Sequence, residues 1–449
     1  MRYRVGVLLL LMLAVMPAAR GQDGQTTPSV SKEPLTLTCE QAIDTALQHN
    51  HQIIIARAET RLARGAVDEA RASGNPTLAL GATYIRFDKV TVVQIGPDQS
   101  IATGVLNELT SNAAINYPVD VSGLIRTAKS AAYLSYLAST FDLQTQEETV
   151  RLQVAQAFYG ALKAKHFADV ASEAVDAANE QLRVAQVNLD QGTAARFDVL
   201  RAEVQVADAK SKLIEAQNGR DLAMAALNLV LAIPIEQPVS LVDEQITVAA
   251  AVPPVAESAD LAAKQRSEVL AAQVNLEAAH KSIKLARASK LPMVGLNWTG
   301  TFAPDATLFS PRKFSWQAAA NISIPILDGG KAHAKVEEAQ AREDVAAEAA
   351  KLTEESVRLD VRTAVTNLEG ARDRYNVAVK SLESAKESYR LAQLRFEQGV
   401  STSLEVMDAS VARSGAETNL YAASYDYRIA QAAFARAIGK PAGAEGAAK

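Results

Sequence analysis

VRLQVAQAFYGALKAKHFADVASEAVDAANEQLRVAQVNLDQG, residues 150–192, decides the fold. Small or apolar side chains fall at Val150, Val154, Ala157, Ala161, Ala164, Ala168, Ala171, Val175, Ala178, Leu182, Ala185 and Leu189, in steps alternating four and three. That spacing is the seam of an α-helix winding left-handedly around partners. Further along, the series returns as Val357, Val361, Ala364, Leu368, Ala371, Tyr375, Ala378, Leu382, Ala385, Tyr389, Ala392 and Phe396. The shift is 207 residues (357 − 150), and it also carries Pro118 to Pro325 and Pro234 to Pro441. The chain is an internal repeat of helical units, and repeats outrank local signals in setting architecture.

Working outward, helices are expected from near Gly123 and Gly330 to the Gln191-Gly192 and Gln398-Gly399 pairs, each about 100 Å long at 1.5 Å per residue. Return helices at about 197–231 and 404–438 are half that length, and helices at 40–74 and 258–290 supply the missing halves. Thr38 with Gln41 forms a capping box at the first of these. A looser duplication matches Arg71-Ala72-Ser73 to Arg287-Ala288-Ser289, now at a shift of 216 (287 − 71). Pro76 to Pro118 is therefore nine residues longer than Pro292 to Pro325 (42 against 33), an insertion expected in a loop.

Between those prolines the period changes to two. Leu78, Leu80, Ala82, Tyr84 and Ala113, Ile115, Tyr117 alternate in the first interval; Val294, Leu296, Trp298, Gly300 and Trp316, Ala318, Ala320, Ile322, Ile324 in the second. Each interval reads as two strands of about ten residues, long enough to cross a bilayer at a tilt. Trp298, Trp316 and Tyr84 are candidates for an aromatic girdle at the lipid headgroups. Four strands cannot close a barrel, and open edges are not tolerated in lipid. Three copies would give twelve strands and twelve helical legs.

The N-terminus carries Arg2 and Arg4, an apolar run from Val5 to Met16, and a small-residue stretch ending at Gly21. That is the layout of a secretory signal peptide over residues 1–22. The remaining segments are a flexible leader (23–34), a first repeat (35–234, strands about 77–88 and 109–118, tip 190–198) and a proline-rich connector (235–257). A second repeat (258–441, strands about 293–303 and 314–325, tip 397–405) and a disordered tail (442–449) complete the chain.

A net charge of −5 over 449 residues leaves no basic footprint for nucleic acid. Cys39, the only cysteine, cannot form an internal disulfide and is expected to be inert. The histidines at 49, 51, 166, 280 and 333 are scattered, as surface histidines are, with no metal-ligand spacing. Gly329-Gly330-Lys331 lacks the spacing of a phosphate loop, and no nucleophile elbow or zincin helix appears. No enzyme, cofactor or metal site is expected.

The tandem repeat, the strand pairs, and the turns Gly192-Thr193-Ala194-Ala195-Arg196-Phe197-Asp198 and Gly399-Val400-Ser401-Thr402-Ser403-Leu404-Glu405 together resemble the TolC-like outer-membrane efflux protein family over nearly the whole mature chain. The resemblance implies a mainly α fold with β: a homotrimeric tube whose 12-stranded outer-membrane β-barrel, four strands per chain, continues as a 12-leg periplasmic α-helical coiled-coil barrel. It implies a passive exit duct for a tripartite efflux or type I secretion system. The partners it implies are outer-membrane lipid, a periplasmic adaptor (membrane fusion protein) docking at the tip turns Gly192, Thr193, Gly399, Val400 and Ser401, and an inner-membrane pump of RND or ABC type.

By spacing from the turn glycine, Glu405 and Asp408 match the family's pore-constricting acids, one helical turn apart. Asp198 matches a closing latch, but Ser401 stands where the family has an arginine and Phe396 where it has a tyrosine. Charge and position make Arg196 the expected alternative partner of Glu405 or Asp408. A periplasmic adaptor would instead carry a compact β domain between its hairpin legs, and a soluble coiled coil would need no strands.

Overall fold

The computed structural model describes residues 34–90, 92–193, 195–244, 248, 252–304 and 313–440. The signal peptide, the leader through residue 33 and the tail lie outside the described residues. In chain order the elements are β1 (Leu35–Leu37), α1 (Cys39–His49), α2 (His51–Ala72), β2 (Thr77–Arg86), β3 (Val92–Gly96), β4 (Gln99–Ala102), β5 (Asn107–Val119), α3 (Leu124–Asp190) and α4 (Arg196–Leu231). There follow β6 (Val239–Leu241), α5 (Val255–Gln265), α6 (Ser267–Ala288), β7 (Met293–Phe302), β8 (Phe314–Ser323), α7 (Lys331–Glu397) and α8 (Ser403–Ala437).

Helices α3 and α7 each run 67 residues and start 207 positions apart (331 − 124). Gly123 and Gly330 precede them at φ +72° and +88°, where any side chain would cost about 1–2 kcal/mol. The Asp120 carboxylate accepts the Ile125 and Arg126 amides at 3.0 and 2.8 Å; Asp328 accepts those of Gly330 and Ala332 at 3.0 and 2.7 Å. Acids there satisfy amides that the helix leaves open and match its dipole. No seam position in either copy is exposed. Helix α4 packs along α3 and α8 along α7, while α3 also packs on α8, so two hairpins lie side by side. The seams are narrow because alanine dominates them, and the thickest apolar cluster sits midway, where Leu37, Ile43, Ile53, Phe158, Leu162, Leu227, Leu231 and Tyr425 meet.

The short helices depart from expectation. Residues 40–74 are not one helix: the chain breaks at Asn50, where φ is −62° and ψ is 129°. The break recurs 216 residues later at Arg266 (266 − 50), with φ −68° and ψ 131°, and its first piece, α5, starts at Val255 after two prolines instead of at 258. Asn50 supplies the physical reason in the first copy. Its Oδ1 accepts the Gln52 amide at 2.8 Å and its Nδ2 donates to the Val230 carbonyl at 2.8 Å, capping α2 and tying it to α4.

Arg266 does the job by charge. Its buried side chain donates to both Glu268 oxygens at 3.1 and 2.6 Å and to Asp360 on α7 at 3.0 Å. Arg436 on α8 reaches Glu268 at 3.4 Å and the Thr149 hydroxyl at 3.3 Å. Ser267 donates to Glu148 on α3 at 3.3 Å, so four helices meet at one junction. Burial alone would raise the Glu268 carboxyl, but Arg266, a backbone hydrogen bond and Arg436 outweigh it and hold it low. Glu148 is pushed up, first by burial and then by the neighbouring Glu268 charge.

The connector carries a strand. Its β6 pairs in parallel with β1, Leu35 opposite Val239 and Leu37 opposite Leu241, which straps the connector to the start of the repeat region. His166, expected on the surface, is half-buried: its ring stacks on Tyr421 at 4.3 Å and bonds Asp243, just beyond β6, at 3.2 Å. Cys39 is buried against this core and its thiol is pushed up to about 11 by burial.

Strands β2, β5, β7 and β8 form one antiparallel sheet in that order. Strand β5 runs beyond the expected 109–118 at both ends, and β2 and β8 each stop two residues short of the expected 88 and 325. The insertion is not a plain loop but a second hairpin, β3 with β4. Its signal is Val92-Val93-Gln94-Ile95, a short strand pattern, followed by the turn residues Gly96-Pro97-Asp98.

Candidate functional site

The sheet is a wall with two unlike faces. Register places Leu78, Ile115, Trp298 and Ala318 in one row, and Leu80, Ala113, Gly300 and Trp316 in the next. Because side chains alternate, Tyr84, Tyr117, Leu296, Phe302, Phe314 and Ile322 share that apolar face. The other face carries Thr83, Thr110, Asn112, Asn116, Asn297, Thr299, Thr301, Gln317 and Asn321. All residues of β2 and β8 are exposed, and each strand has one edge with no partner among the described residues. An apolar face backed by a polar one is the patterning of strands that stand between lipid and water.

Tyr84 and Trp316 lie near the ends of their strands, with Phe302 and Phe314, at the end of the sheet away from the helices. Trp298 sits mid-strand, where it lies over Gly300: a Cβ on Gly300 would come within 2.8 Å of its ring. Position along the strand therefore separates Trp298 from the other aromatics.

No helix among the described residues is long and apolar enough to cross a membrane. No metal-binding group of His, Cys, Asp and Glu occurs among them either.

At the far end the two hairpin tips lie together. Gly192 and Gly399 adopt φ +73° and +75°, and the amides one residue on, Thr193 and Val400, return to the Asn188 and Arg395 carbonyls at 2.9 and 3.0 Å. These are left-handed helix stops that favour glycine. The tips then diverge. Asp198 accepts the Ala195 amide at 3.1 Å, closing its own helix start; Ala195 has no side-chain oxygen to reciprocate. In the second tip Thr402 caps α8, its hydroxyl accepting the Glu405 amide at 3.4 Å.

Glu405 faces its own hairpin. Ser401 donates to it at 3.0 Å, and Arg395, in the last turn of α7, lies 3.8 Å away. Arg196 is not brought to Glu405 or Asp408 within the chain; the cation nearest Glu405 is Arg395, while Asp198 bonds its own helix start and no arginine. Asp408 is exposed and makes no ion pair among the described residues. Gln181 donates to the Ser403 hydroxyl at 2.7 Å, joining the two hairpins above a cleft of about 440 Å³ lined by Asp198, Arg201, Thr402 and Met407. Spacing singles out Glu405 and Asp408 as candidates but not Arg395. Its only signal was a cation closing α7, which the helix dipole alone would explain.

A sheet with one apolar and one polar face, joined to paired helical hairpins, is the layout to be compared with known proteins. The outer membrane efflux protein family matches residues 42–232 and 259–440, and the chain belongs to that family. Over 378 residues it is 26% identical to the solvent efflux pump outer membrane protein SrpC of Pseudomonas putida, covering 82% of this chain and 77% of that one. It is 27% identical over 387 residues to outer membrane protein OprJ of Pseudomonas aeruginosa, covering 82% and 76%. The fold matches the crystal structure of the Campylobacter jejuni CmeC outer membrane channel with a TM-score of 0.78 at 18% identity, covering 95% of this chain and 93% of that one. The protein is an outer-membrane exit duct of the efflux type, with a periplasmic helical extension; the family is one of ducts, not of enzymes.

Proposed function

We propose that three copies close into a single duct, a twelve-stranded barrel continued by twelve helical legs, through which cargo leaves passively. The observation that carries this is the wall: four strands with two open edges, one apolar face and one polar face. In this reading each repeat contributes one strand pair and one helical hairpin, and the outer aromatics Tyr84 and Trp316 sit at lipid headgroup level. Exposed apolar side chains at the sheet–helix junction, Ile326 and Leu327, at 94% and 93% exposure, are surface that a neighbouring copy would cover.

At the periplasmic end the tips form the mouth. Asp408 and Glu405 line its rim, Asp198 and Arg196 flank it, and the turns at Gly192, Thr193, Gly399, Val400 and Ser401 present the surface for a periplasmic adaptor. An inner-membrane pump of RND or ABC type delivers the cargo, and the names of the relatives favour efflux of small molecules over protein secretion. Cargo identity is set upstream. Membrane fractionation tests the assembly: a heat-modifiable three-chain species in the outer membrane is expected, and recovery as a soluble periplasmic monomer would overturn it. Conductance tests the mouth, where Asp408→Asn is expected to change current and gating; unchanged current removes Asp408 from the pore.

A further inference from the structure

On the polar face of the four wall strands only one side chain is ionisable, Glu108. Its place follows from register: Glu108 lies opposite Ile85, two residues before Thr110 and four before Asn112, and so shares their face. Thr110 donates to its carboxylate at 3.4 Å across that same face. The only other charge on these strands, Arg86, lies opposite Asn107 and belongs to the apolar face with Tyr84. Pairing of β5 with β7 ends at Ser111 opposite Phe302, so Glu108, still paired with β2, stands beyond the last row shared with β7, at the end of the wall remote from the helices. The second repeat has Ser315 at the position 207 residues on (315 − 108), on the same face, and contributes no charge.

We propose that Glu108 sets the ion preference of the outer mouth: in the closed trimer, on which this inference rests, three carboxylates and not six ring a barrel whose strands carry no other charge on their polar face. The wall below them offers hydroxyls and amides, which hydrate cargo of either sign without sorting it. A lone acidic ring in such a passage attracts cations and repels anions. Its reach follows ionic strength, about 10 Å at 0.1 M salt and about 30 Å at 0.01 M. The outer mouth thus discriminates against anionic solutes re-entering from outside, at a point separate from the tip.

The test is reversal potential in planar bilayers, with wild-type protein, Glu108→Gln and Glu108→Lys, under a potassium chloride gradient. The cation-to-anion permeability ratio is expected to fall by roughly two-fold or more in the Gln variant and further in the Lys variant, as removal and inversion of a charged ring require. The differences should widen at low salt. Glu405 and Asp408 are present throughout, so a difference among the variants reports position 108. Arg86→Gln, at the same end but on the other face, should leave the ratio unchanged. If wild type and both Glu108 variants conduct with equal ratios, the proposal is overturned; a wild-type chain that forms no conducting trimer overturns the assembly reading instead and removes the ring with it. Should the variants fail to assemble, Glu108→Cys labelled after assembly with a cationic or an anionic thiol reagent gives the same contrast, because Cys39 is buried at 7% exposure.

Discussion

The two repeats break their short helices at matching places, Asn50 and Arg266, by different chemistry. Asn50 is neutral and satisfies one amide and one carbonyl. Arg266 is a buried cation that needs Glu268 and Asp360, and through Glu268 it meets Arg436 as well. Equal backbone geometry can therefore rest on a local cap or on a long-range charge network. The first costs little if removed, whereas the second leaves uncompensated charge behind.

That contrast predicts unequal losses. Arg266→Ala is expected to cost about 3–5 kcal/mol, the scale for removing one partner of a buried pair, mostly through Glu268, since Asp360 is 49% exposed. Urea unfolding of the solubilised protein, followed by helical circular dichroism, measures it. Arg266→Asn alone should not rescue, because the carboxylates remain; with Glu268→Gln added it should. Asn50→Ala is expected to cost about 1–3 kcal/mol, the penalty for an orphaned buried group plus a lost cap. A larger loss at Asn50 than at Arg266 would break the comparison.

Acid sharpens it further. The Glu268 carboxyl is held below its ordinary value of 4.5, so the stability it contributes is present above that value and is lost as pH falls through the lowered one. Glu148 is raised, so its contribution has the opposite sign: it is present below 4.5 and is lost as pH rises through the raised value. Glu268→Gln should flatten the acid limb of a stability–pH curve, and Glu148→Gln should flatten the limb just above it. Identical curves for wild type and both variants would deny the junction its role.

The ends of the return helices give a smaller contrast. Ala232, at φ 56°, occupies the left-handed position that Gly439, at φ 72°, holds 207 residues later. Gly439→Ala is expected to cost about 1–2 kcal/mol for the backbone alone, and its Cβ would also meet Gln265 at 3.3 Å. Ala232→Gly should stabilise by up to about 1 kcal/mol, reduced by the added freedom of the unfolded chain. Thermal melts of the pair should move in opposite directions. Least affected is the tip, where Arg395 and Glu405 are 58% and 49% exposed. Arg395→Ala should change stability by less than about 1 kcal/mol, while channel current reports any change at the mouth.

Much of this architecture was legible in the sequence because its causes are local and periodic. A four-three alternation fixes which face of α3 and α7 is covered, since neighbours three and four apart share a helix face. Alternation by two fixes the faces of β2, β5, β7 and β8, and the left-handed stops at Gly192 and Gly399 need a residue without Cβ. The missed hairpin β3–β4 and the break at Asn50 were local too, but each signal was short and lay inside a stronger pattern.

What the tertiary structure alone decided are partnerships between distant residues. Arg266 and Asp360 are 94 residues apart, and they meet because α6 and α7 lie side by side at one particular offset. Arg395 reaches Glu405 only because the turn at Gly399 folds α8 back on α7. Residue type and spacing along one helix determine its covered face, but the offset between helices depends on the packing of every contact along their length, and no single stretch of sequence contains it.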